Sequence, residues 1–272
     1  MWSLRFNFIT NSTVKRITSL DSKNFHINIL SCNNLTFHNI NIMAPENSPN
    51  TDGIHICRSN MITITKSKIA TGDDCISLGD GSKLIEVTNV TCGPGHGISI
   101  GSLGRYTNEE PVEGVIVKNC TLINTTNGVR IKTWPASAAS GTATNMHFLD
   151  IIMVNVSNPI PIDQKYCLWN QCNRQIPSNI KISTMSFKNM RGSSATLLAI
   201  KLICSRHLPC DDVKVSNIDL TYNGIKGPIS SQCTNVKPII SGRPNPKICS
   251  SSYVVQCIVH CHRTSNIIDN LN

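Results

Sequence analysis

The sequence lacks any run of apolar residues that approaches the roughly 20 needed for a membrane-spanning helix. Charged residues make up only 15% of the chain and aromatic residues only 5%. Long stretches rich in Glu, Lys and Leu, which an extended amphipathic helix requires, are also missing. These shortages argue against a membrane partner and a helical bundle. The abundant Ile, Val and Thr favour an all-β protein instead, because β-branched side chains suit a pleated surface.

The charged residues that are present are mostly basic. Lys and Arg number 25 against 16 Asp and Glu, for a net charge of +9. Such a balance is typical of a protein that meets a polyanion, namely nucleic acid, anionic lipid or an acidic polysaccharide. The basic residues are scattered, with no dense Lys/Arg run and no interleaved aromatics. This pattern argues against nucleic acid as a partner.

Cysteine is plentiful, and its number bears on the compartment. Thirteen cysteines in 272 residues indicate an oxidising environment. Six Asn-x-Ser/Thr glycosylation sequons agree with secretion, and they begin at Asn11, Asn34, Asn89, Asn119, Asn124 and Asn155. The first ten residues, MWSLRFNFIT, contain neither the long apolar segment nor the small-residue cleavage site of a signal peptide. The prediction is a secreted protein whose signal peptide is absent from this sequence.

Short segments of alternating apolar and polar residues recur along the chain. Their first apolar anchors are Leu35, Ile62, Ile85, Val115, Met146, Ile180 and Val213. Alternation at period two predicts strands with one buried face, and a recurrence every 20 to 35 residues or so predicts the stacked coils of a β-solenoid. Asparagine follows the anchor by four residues at Asn39, Asn89, Asn119 and Asn217, which predicts a ladder of amides at a turn.

A β-sandwich is the alternative architecture. It requires hairpin turns about every 8–12 residues. The Asn-Gly dipeptide that marks such turns occurs only at 127–128 and 223–224. The solenoid is therefore preferred.

A set of chemically active residues recurs at intervals that match the coil length. The set consists of Asp52, the pair Asp73 and Asp74, His96, and the cations Arg130 and Lys132. Each member precedes or occupies the second strand of its coil, so stacking would bring all of them to one face. Two chemistries suit three carboxylates beside a histidine and two cations: metal binding through oxygen ligands and glycoside hydrolysis by a carboxylic acid and a carboxylate base. In the second case the cations would grip a sugar carboxylate.

Four motifs carry a resemblance to a known family. NTD (50–52), GDD (72–74), GHG (95–97) and RIK (130–132), in this order, resemble the signature motifs of the polygalacturonases of glycoside hydrolase family 28. The likeness runs from about residue 4 to 249, through SPNTDGIHI, TGDDCIS, CGPGHGISIGSLG, NGVRIKTWP and PIPIDQKYC, and is strongest to the pollen-type exopolygalacturonases of plants.

The resemblance implies both a fold and an activity. The fold would be all-β, a right-handed parallel β-helix of the single-stranded, pectin-lyase-like kind. The activity would be inverting, exo-acting hydrolysis of α-1,4 bonds between galacturonic acid units of pectin, in plant cell wall modification. The protein would be a secreted monomer of the cell wall that acts on homogalacturonan and uses no metal or other cofactor. Endo versus exo action depends on loops that close one end of the cleft, and only the likeness to the pollen-type enzymes favours exo action.

The resemblance also implies a role for each motif residue. Asp73 would be the general acid, Asp52 and Asp74 would activate the attacking water, and His96 would support the proton arrangement. The other roles concern the substrate: Arg130 and Lys132 would hold its carboxylate, Asn50 would shape the site, and Tyr166 would contact the sugar.

Disulfide bonds follow from the same resemblance. The implied pairs are Cys75–Cys92, Cys167–Cys172, Cys204–Cys210 and Cys233–Cys249, with Cys32, Cys57 and Cys120 left as buried thiols. The first of these pairs would brace the two catalytic coils.

The sequence differs from the family pattern at both of its ends. Residues 1–249 are expected to form the catalytic β-helix, without the N-terminal cap and the several coils, about a hundred residues, that plant members carry. The alternative function is therefore a catalytically inactive, truncated β-helix that at most binds pectin. A calcium-dependent pectate lyase is a weaker alternative, because its motif set differs.

Residues 250–272 are expected to form an atypical, disordered tail. The tail contains a compact cluster of Cys257, His260, Cys261 and His262. These four are too close in sequence for the two spaced ligand pairs of a structural zinc site, so no metal is predicted there.

Overall fold

The computed structural model describes residues 3–249, and the predicted tail at 250–272, with its Cys/His cluster, lies outside the described residues. Every pairing between strands in the described part is parallel, and each strand pairs with its counterparts in the coils before and after it. The prediction of an all-β, right-handed parallel β-helix is confirmed.

Nine strands form the first sheet, which we call the site sheet. They are β1 (Leu4–Asn7), β4 (Ile27–Leu30), β7 (Ile54–Cys57), β10 (Asp74–Leu78), β13 (Gly97–Leu103), β16 (Val129–Thr133), β18 (Ile160–Asp163), β20 (Leu198–Ile203) and β22 (Ser230–Thr234).

The second sheet has two rows of strands that merge in three long ones. The first row contains β2 (Thr10–Lys15), β5 (Asn33–His38), β8 (Asn60–Thr65), β11 (Lys83–Thr88) and β14 (Val112–Lys118). The second row contains β3 (Thr18–Leu20), β6 (Asn41–Met43), β9 (Lys68–Ala70), β12 (Thr91–Cys92) and β15 (Thr121–Ile123). The long strands are β17 (Gly141–Val156), β19 (Ile180–Ser194) and β21 (Asp211–Thr221), and β23 (Ile239–Ser241) pairs with β21.

One short 3₁₀ helix, Leu168–Asn170, lies between β18 and β19. Between residues 3 and 249 no helix is long and apolar enough to cross a membrane.

The core is a set of aliphatic ladders that run along the helix axis. In the site sheet Ile54, Ile76, Ile98 and Val129 pair in register through four successive coils, and all are buried. Burial of each such side chain stabilises the fold by about 1.5–3 kcal/mol. The alternating residues point the other way, so the polar positions of these strands form the outer face of the site sheet.

The predicted anchors stack as expected with one exception. Leu35, Ile62, Ile85, Val115 and Met146 pair in register in neighbouring coils. In the next coil the partner of Met146 is Met185, so the assignment of Ile180 as the anchor was wrong. Ile180 begins the long β19 and pairs instead with Gly141, the first residue of β17, so the first apolar residue of this segment lies five positions before Met185.

The asparagines that follow the anchors do lie at turns. Asn39, Asn89, Asn119 and Asn217 all have positive φ, between 51° and 56°. The predicted amide ladder forms only in the last coils, where Asn217 Nδ2 donates to Asn189 Oδ1 at 3.0 Å. Asn189 Nδ2 in turn donates to Asp150 Oδ1 at 2.8 Å.

The cysteine pairing implied by the family likeness is confirmed. All four disulfides are present, Cys75–Cys92, Cys167–Cys172, Cys204–Cys210 and Cys233–Cys249. Cys32 and Cys120 are buried thiols as expected. Cys57 is only partly buried, and its thiol faces the Asp80 carboxylate at 3.2 Å.

Candidate active site

The candidate acidic residues lie at the N-terminal ends of adjacent strands in the site sheet. Asp52 precedes β7, Asp73 precedes β10, Asp74 is its first residue, and His96 precedes β13. These three strands are neighbours, so their N-terminal ends lie about 4.8 Å apart from coil to coil. Backbone bonds join the loops directly: Gly53 N–H donates to Asp74 O at 2.9 Å, and His96 N–H donates to Asp73 O at 2.7 Å.

Close packing between these loops requires glycine in the third motif. Gly97 has φ of +89°, and a Cβ added to it would lie 2.0 Å from the carbonyl oxygen of Asn127 in the next coil. A larger residue would therefore push the third and fourth coils of the site apart.

Asp74 is buried among donors and is held as an anion. Lys132 Nζ lies 3.0 Å from its Oδ2, and Arg130 Nη2 lies 3.2 Å from its Oδ1. Ser99 Oγ also donates to Oδ1, at 2.6 Å. Burial alone would raise the pKa of Asp74, but the Lys132 and Arg130 charges and the hydrogen bonds outweigh it and lower that pKa. Asp74 is thus the fixed negative charge of the site.

Asp73 and His96 form a second pair nearer the solvent. His96 Nδ1 lies 2.8 Å from Asp73 Oδ1, and the side chains are 41% and 24% exposed. The hydrogen bond to Asp73 is the main reason that the pKa of His96 is raised, so the imidazolium form is favoured beside the carboxylate. Both side chains are accessible to a ligand that covers the sheet.

Asp52 behaves differently from either of its neighbours. It is only 6% exposed, and burial, followed by the charges of Asp74 and Asp73, raises its pKa to about 8. A carboxyl group with this pKa keeps its proton at neutral pH. The carboxyl cluster therefore holds one extra proton at neutral pH, on Asp52.

Tyr166 lies beside the cations, whereas Asn50 stands apart. The Lys132 Nζ atom is 5.4 Å from the centre of the Tyr166 ring, and Trp134 meets that ring edge-on at 6.0 Å between centroids. Asn50 is exposed at a turn with φ of +52°, and within residues 3–249 its side chain makes no hydrogen bond to another candidate residue. Its neighbour Thr51 links the loops instead, since Gly72 N–H donates to Thr51 Oγ1 at 3.0 Å.

Two serines and one histidine in the site were not predicted from the sequence. Ser77 and Ser99, in register on β10 and β13, each donate a 2.6 Å hydrogen bond to a carboxylate, Asp52 and Asp74 respectively. His55 in turn contacts Ser77. The spacing in the sequence could have identified these residues. His55 lies three residues after Asp52, Ser77 three after Asp74, and Ser99 three after His96.

A basic groove continues from the site toward the later coils. Two cavities, of about 540 and 460 Å³, share Lys165 and Arg174 in their walls. Arg206 lines the first cavity and Lys201 the second. Positive charge thus extends along the sheet beyond Lys132, which suits an elongated, multiply charged anion.

No metal or ligand is needed to neutralise Asp74, because two cations already do so. Asp73, Asp74 and His96 do place ligand atoms within 4.8 Å of one another. However, the two cations on Asp74 would repel a metal ion at that point. The donor set thus fits proton transfer better than metal binding.

Comparison with known proteins places this geometry in context. Residues 2–249 match the model of glycosyl hydrolases family 28. The chain is 57% identical over 250 residues to an exopolygalacturonase of Oenothera organensis, covering 92% of this chain and 69% of that protein. It is 55% identical over 250 residues to a polygalacturonase of Nicotiana tabacum, covering 92% and 63%.

Solved structures show the same fold. An endo-xylogalacturonan hydrolase from Aspergillus tubingensis superposes with a TM-score of 0.76 at 21% identity, over 89% of this chain and 68% of that one. A polygalacturonase from Erwinia carotovora gives a TM-score of 0.65 at 28% identity, over 86% and 59%. The chain spans 56–69% of the length of the curated plant relatives and 45–68% of the solved structures.

Proposed function

Because the chain belongs to glycosyl hydrolase family 28, we propose that it hydrolyses the α-1,4 bonds between galacturonate units of polygalacturonate, with inversion and from the chain end. The observation that carries the proposal is the juxtaposition of three carboxyl groups in three different states. One is protonated, one is locked as an anion, and one stands at the surface beside an imidazolium. Names of relatives such as exopolygalacturonase support the substrate and the exo mode of action.

Recognition of the substrate is assigned to the cations. The Nε–H group of Arg130 donates to Ser99 Oγ, and one Nη2–H group donates to Asp74 Oδ1. The other N–H groups of the guanidinium are left to bind a sugar carboxylate. Lys132 is held between Asp74 and the face of Tyr166. A galacturonate ring would stack near Tyr166 with its carboxylate toward Arg130 and Lys132.

Proton transfer is assigned to Asp73 and Asp52. Interacting carboxyl groups titrate as a set, and in the free site the extra proton lies on Asp52. When substrate binds, this proton passes from the buried Asp52 to Asp73, whose side chain is 24% exposed and would contact a sugar that covers the sheet. Asp73 then donates it to the leaving glycosidic oxygen.

The remaining steps return each carboxyl group to its protonation state in the free site. Asp52, now ionised, accepts the proton of the attacking water while Asp74 orients that water with its fixed charge. After bond cleavage Asp73 is ionised and Asp52 is protonated again, as in the free site. The water supplies the hydroxyl group on one product and, through this exchange, the proton on the other.

The disulfides support a place of action outside the cell. Four bridges within one domain are stable in an oxidising compartment and are rare in the cytosol. The proposed place of action is therefore outside the cell, and the plant relatives support the pectin of the cell wall as the substrate.

The test is digestion of polygalacturonic acid by the oxidised protein, with reducing ends counted and products sized. Monomer released from the start supports exo action, and mixed oligomers indicate endo action. Asp73→Asn should lower kcat about 10²- to 10⁴-fold, the usual contribution of a general acid. Asp212→Asn is the matched control and should keep full activity, because Asp212 is a partly exposed aspartate that pairs with Lys214 outside the site.

Absence of activity in a protein that melts cooperatively and binds oligogalacturonate would contradict the proposal. That result would favour the alternative, a β-helix that binds pectin without cleaving it.

A further inference from the structure

We infer that His55 and Ser77 are positioning residues that hold Asp52 by one oxygen and leave the other free for the attacking water. This inference rests on the proposed hydrolysis and concerns the same site. Ser77 Oγ donates to Asp52 Oδ2 at 2.6 Å, and His55 Nδ1 lies 2.8 Å from the same Ser77 oxygen.

The direction of each bond follows from donor counting. A serine hydroxyl has a single hydrogen, so once Ser77 donates to Asp52 it must accept at its other contact. The hydrogen there belongs to His55 Nδ1. Within residues 3–249 no other side chain donates to the Asp52 carboxyl group, so Oδ1 is the oxygen left to exchange a proton.

His55 is itself fixed in place by its surroundings. The Phe25 ring packs against the imidazole at 5.0 Å between centroids. The neighbouring Asn28 and Ser77 are its register partners on β4 and β10. Burial lowers the pKa of His55 to about 4, and the charges near it are those of Asp74, Lys132 and Asp80. The imidazole is therefore neutral at neutral and mildly acidic pH.

The adjacent coil contains a matching chain of hydrogen bonds that ends in a cation, Arg130. Ser99, in register with Ser77, donates to Asp74 and accepts from Arg130 Nε at 3.2 Å. His55, Ser77, Ser99 and Arg130 follow one another along a single row of the site sheet.

The two hydrogen-bond chains end in different groups, and this difference adds to the direct contacts of Arg130 and Lys132 with Asp74. A cation behind Ser99 helps to keep Asp74 ionised. A neutral ring behind Ser77 orients Asp52 without adding positive charge, so Asp52 can take up and release a proton in each cycle.

Four variants test the inference. Ser77→Ala removes the donor to Asp52, and His55→Leu removes the donor to Ser77. His55→Asn places an amide N–H where Nδ1 stood and should restore much of the effect. Ser186→Ala is the matched control, because His147 Nδ1 and Ser186 Oγ form the same 2.8 Å contact on the second sheet, with no carboxylate attached.

Two readouts separate positioning from a merely structural role. Ser77→Ala should lower kcat about 10- to 100-fold with KM within about twofold, since misplacement of a reacting group acts on the chemical step. It should also raise the pKa of Asp52, followed by carboxyl ¹³C NMR, because the lost hydrogen bond favoured the ionised form. Ser186→Ala should change neither.

The outcomes are distinct. If Ser77→Ala leaves both kcat and the Asp52 titration unchanged, or lowers kcat without moving that titration, the inference is wrong. If the natural protein is inactive but Ser77→Ala still raises the pKa of Asp52, the positioning stands and the proposed hydrolysis fails. Should Ser77→Ala not melt cooperatively, the comparison of His55→Leu with His55→Asn decides by the same two readouts.

Discussion

Replacement of Asp52 by asparagine should stabilise the fold, and the gain should grow with pH. The pKa of Asp52 is about 8 in the folded protein and near its ordinary value of 3.8 when the chain is unfolded. Between these values the folded state binds one more proton than the unfolded state, so the natural protein loses stability as pH rises. The stabilising effect of protonated Asp52 is complete below about pH 4 and is lost as pH rises through about 8.

The size of the effect follows from the proton count. One proton corresponds to about 1.4 kcal/mol per pH unit. From about pH 4.5 to about pH 7.5 the Asp52→Asn variant should therefore gain up to about 4 kcal/mol relative to the natural protein. Asparagine keeps an oxygen that can accept from Ser77, so the substitution removes the titration without breaking that contact.

The assay is equilibrium unfolding in urea of the oxidised proteins at the two pH values. Asp74→Asn provides a control of opposite sign. Because the pKa of Asp74 is lowered in the fold, its ionised form stabilises the protein above the unfolded value, and that stability is lost as pH falls. Removing its charge leaves Lys132 and Arg130 poorly paired, so this variant should lose about 3 kcal/mol at about pH 7.5.

The result that refutes the reasoning is a free-energy difference between Asp52→Asn and the natural protein that is the same at both pH values. It would mean that Asp52 is ionised in the folded protein at neutral pH. The proton assigned to it in the resting site would then not exist.

Three further predictions concern other parts of the site. Gly97→Ala should destabilise the fold by about 3 kcal/mol or more, through positive φ and the clash with the Asn127 carbonyl; an unchanged urea midpoint would contradict the packing argument. Oligogalacturonate binding to the Asp73→Asn variant should weaken several-fold from about 0.05 to about 0.5 M NaCl, since the groove is basic; calorimetry that finds a salt-independent Kd would count against charge recognition. The value of kcat/KM should fall above about pH 8, because Asp52 then loses the proton that it holds in the free site. A kcat/KM that stays constant up to about pH 9 would show that catalysis does not use a proton held on Asp52.

Much of the fold could be predicted because the solenoid repeats a local rule. Each strand alternates buried and exposed residues, so anchors such as Leu35, Ile62 and Ile85 fall into register without knowledge of distant contacts. The rule failed where a strand has apolar residues ahead of the position that stacks on the preceding anchor. Ile180 begins a 15-residue strand, and only its pairing with Gly141 shows that Met185 is the true counterpart of Met146.

The close placement of Asp52, Asp73 and His96 could also be predicted from spacing, because one coil separates each of them from the next. Side-chain orientation could not. Nothing in the sequence around Asn50 indicates that its side chain stays in solvent while Thr51 makes the link to Gly72. Such details depend on the turn conformation, which neighbouring coils determine.

The sequence could not predict that Asp52 is protonated and Asp74 ionised at neutral pH. Both precede or begin a strand, and both accept a serine hydrogen bond of 2.6 Å. What separates them is the distribution of cations that arrive 56 and 58 residues after Asp74, in the next coil but one. Arg130 and Lys132 contact Asp74 directly, whereas Lys132 acts on Asp52 only at a distance and too weakly to offset burial. A site for proton transfer needs this asymmetry, because two equally neutralised carboxylates would have no reason to keep a proton near neutral pH.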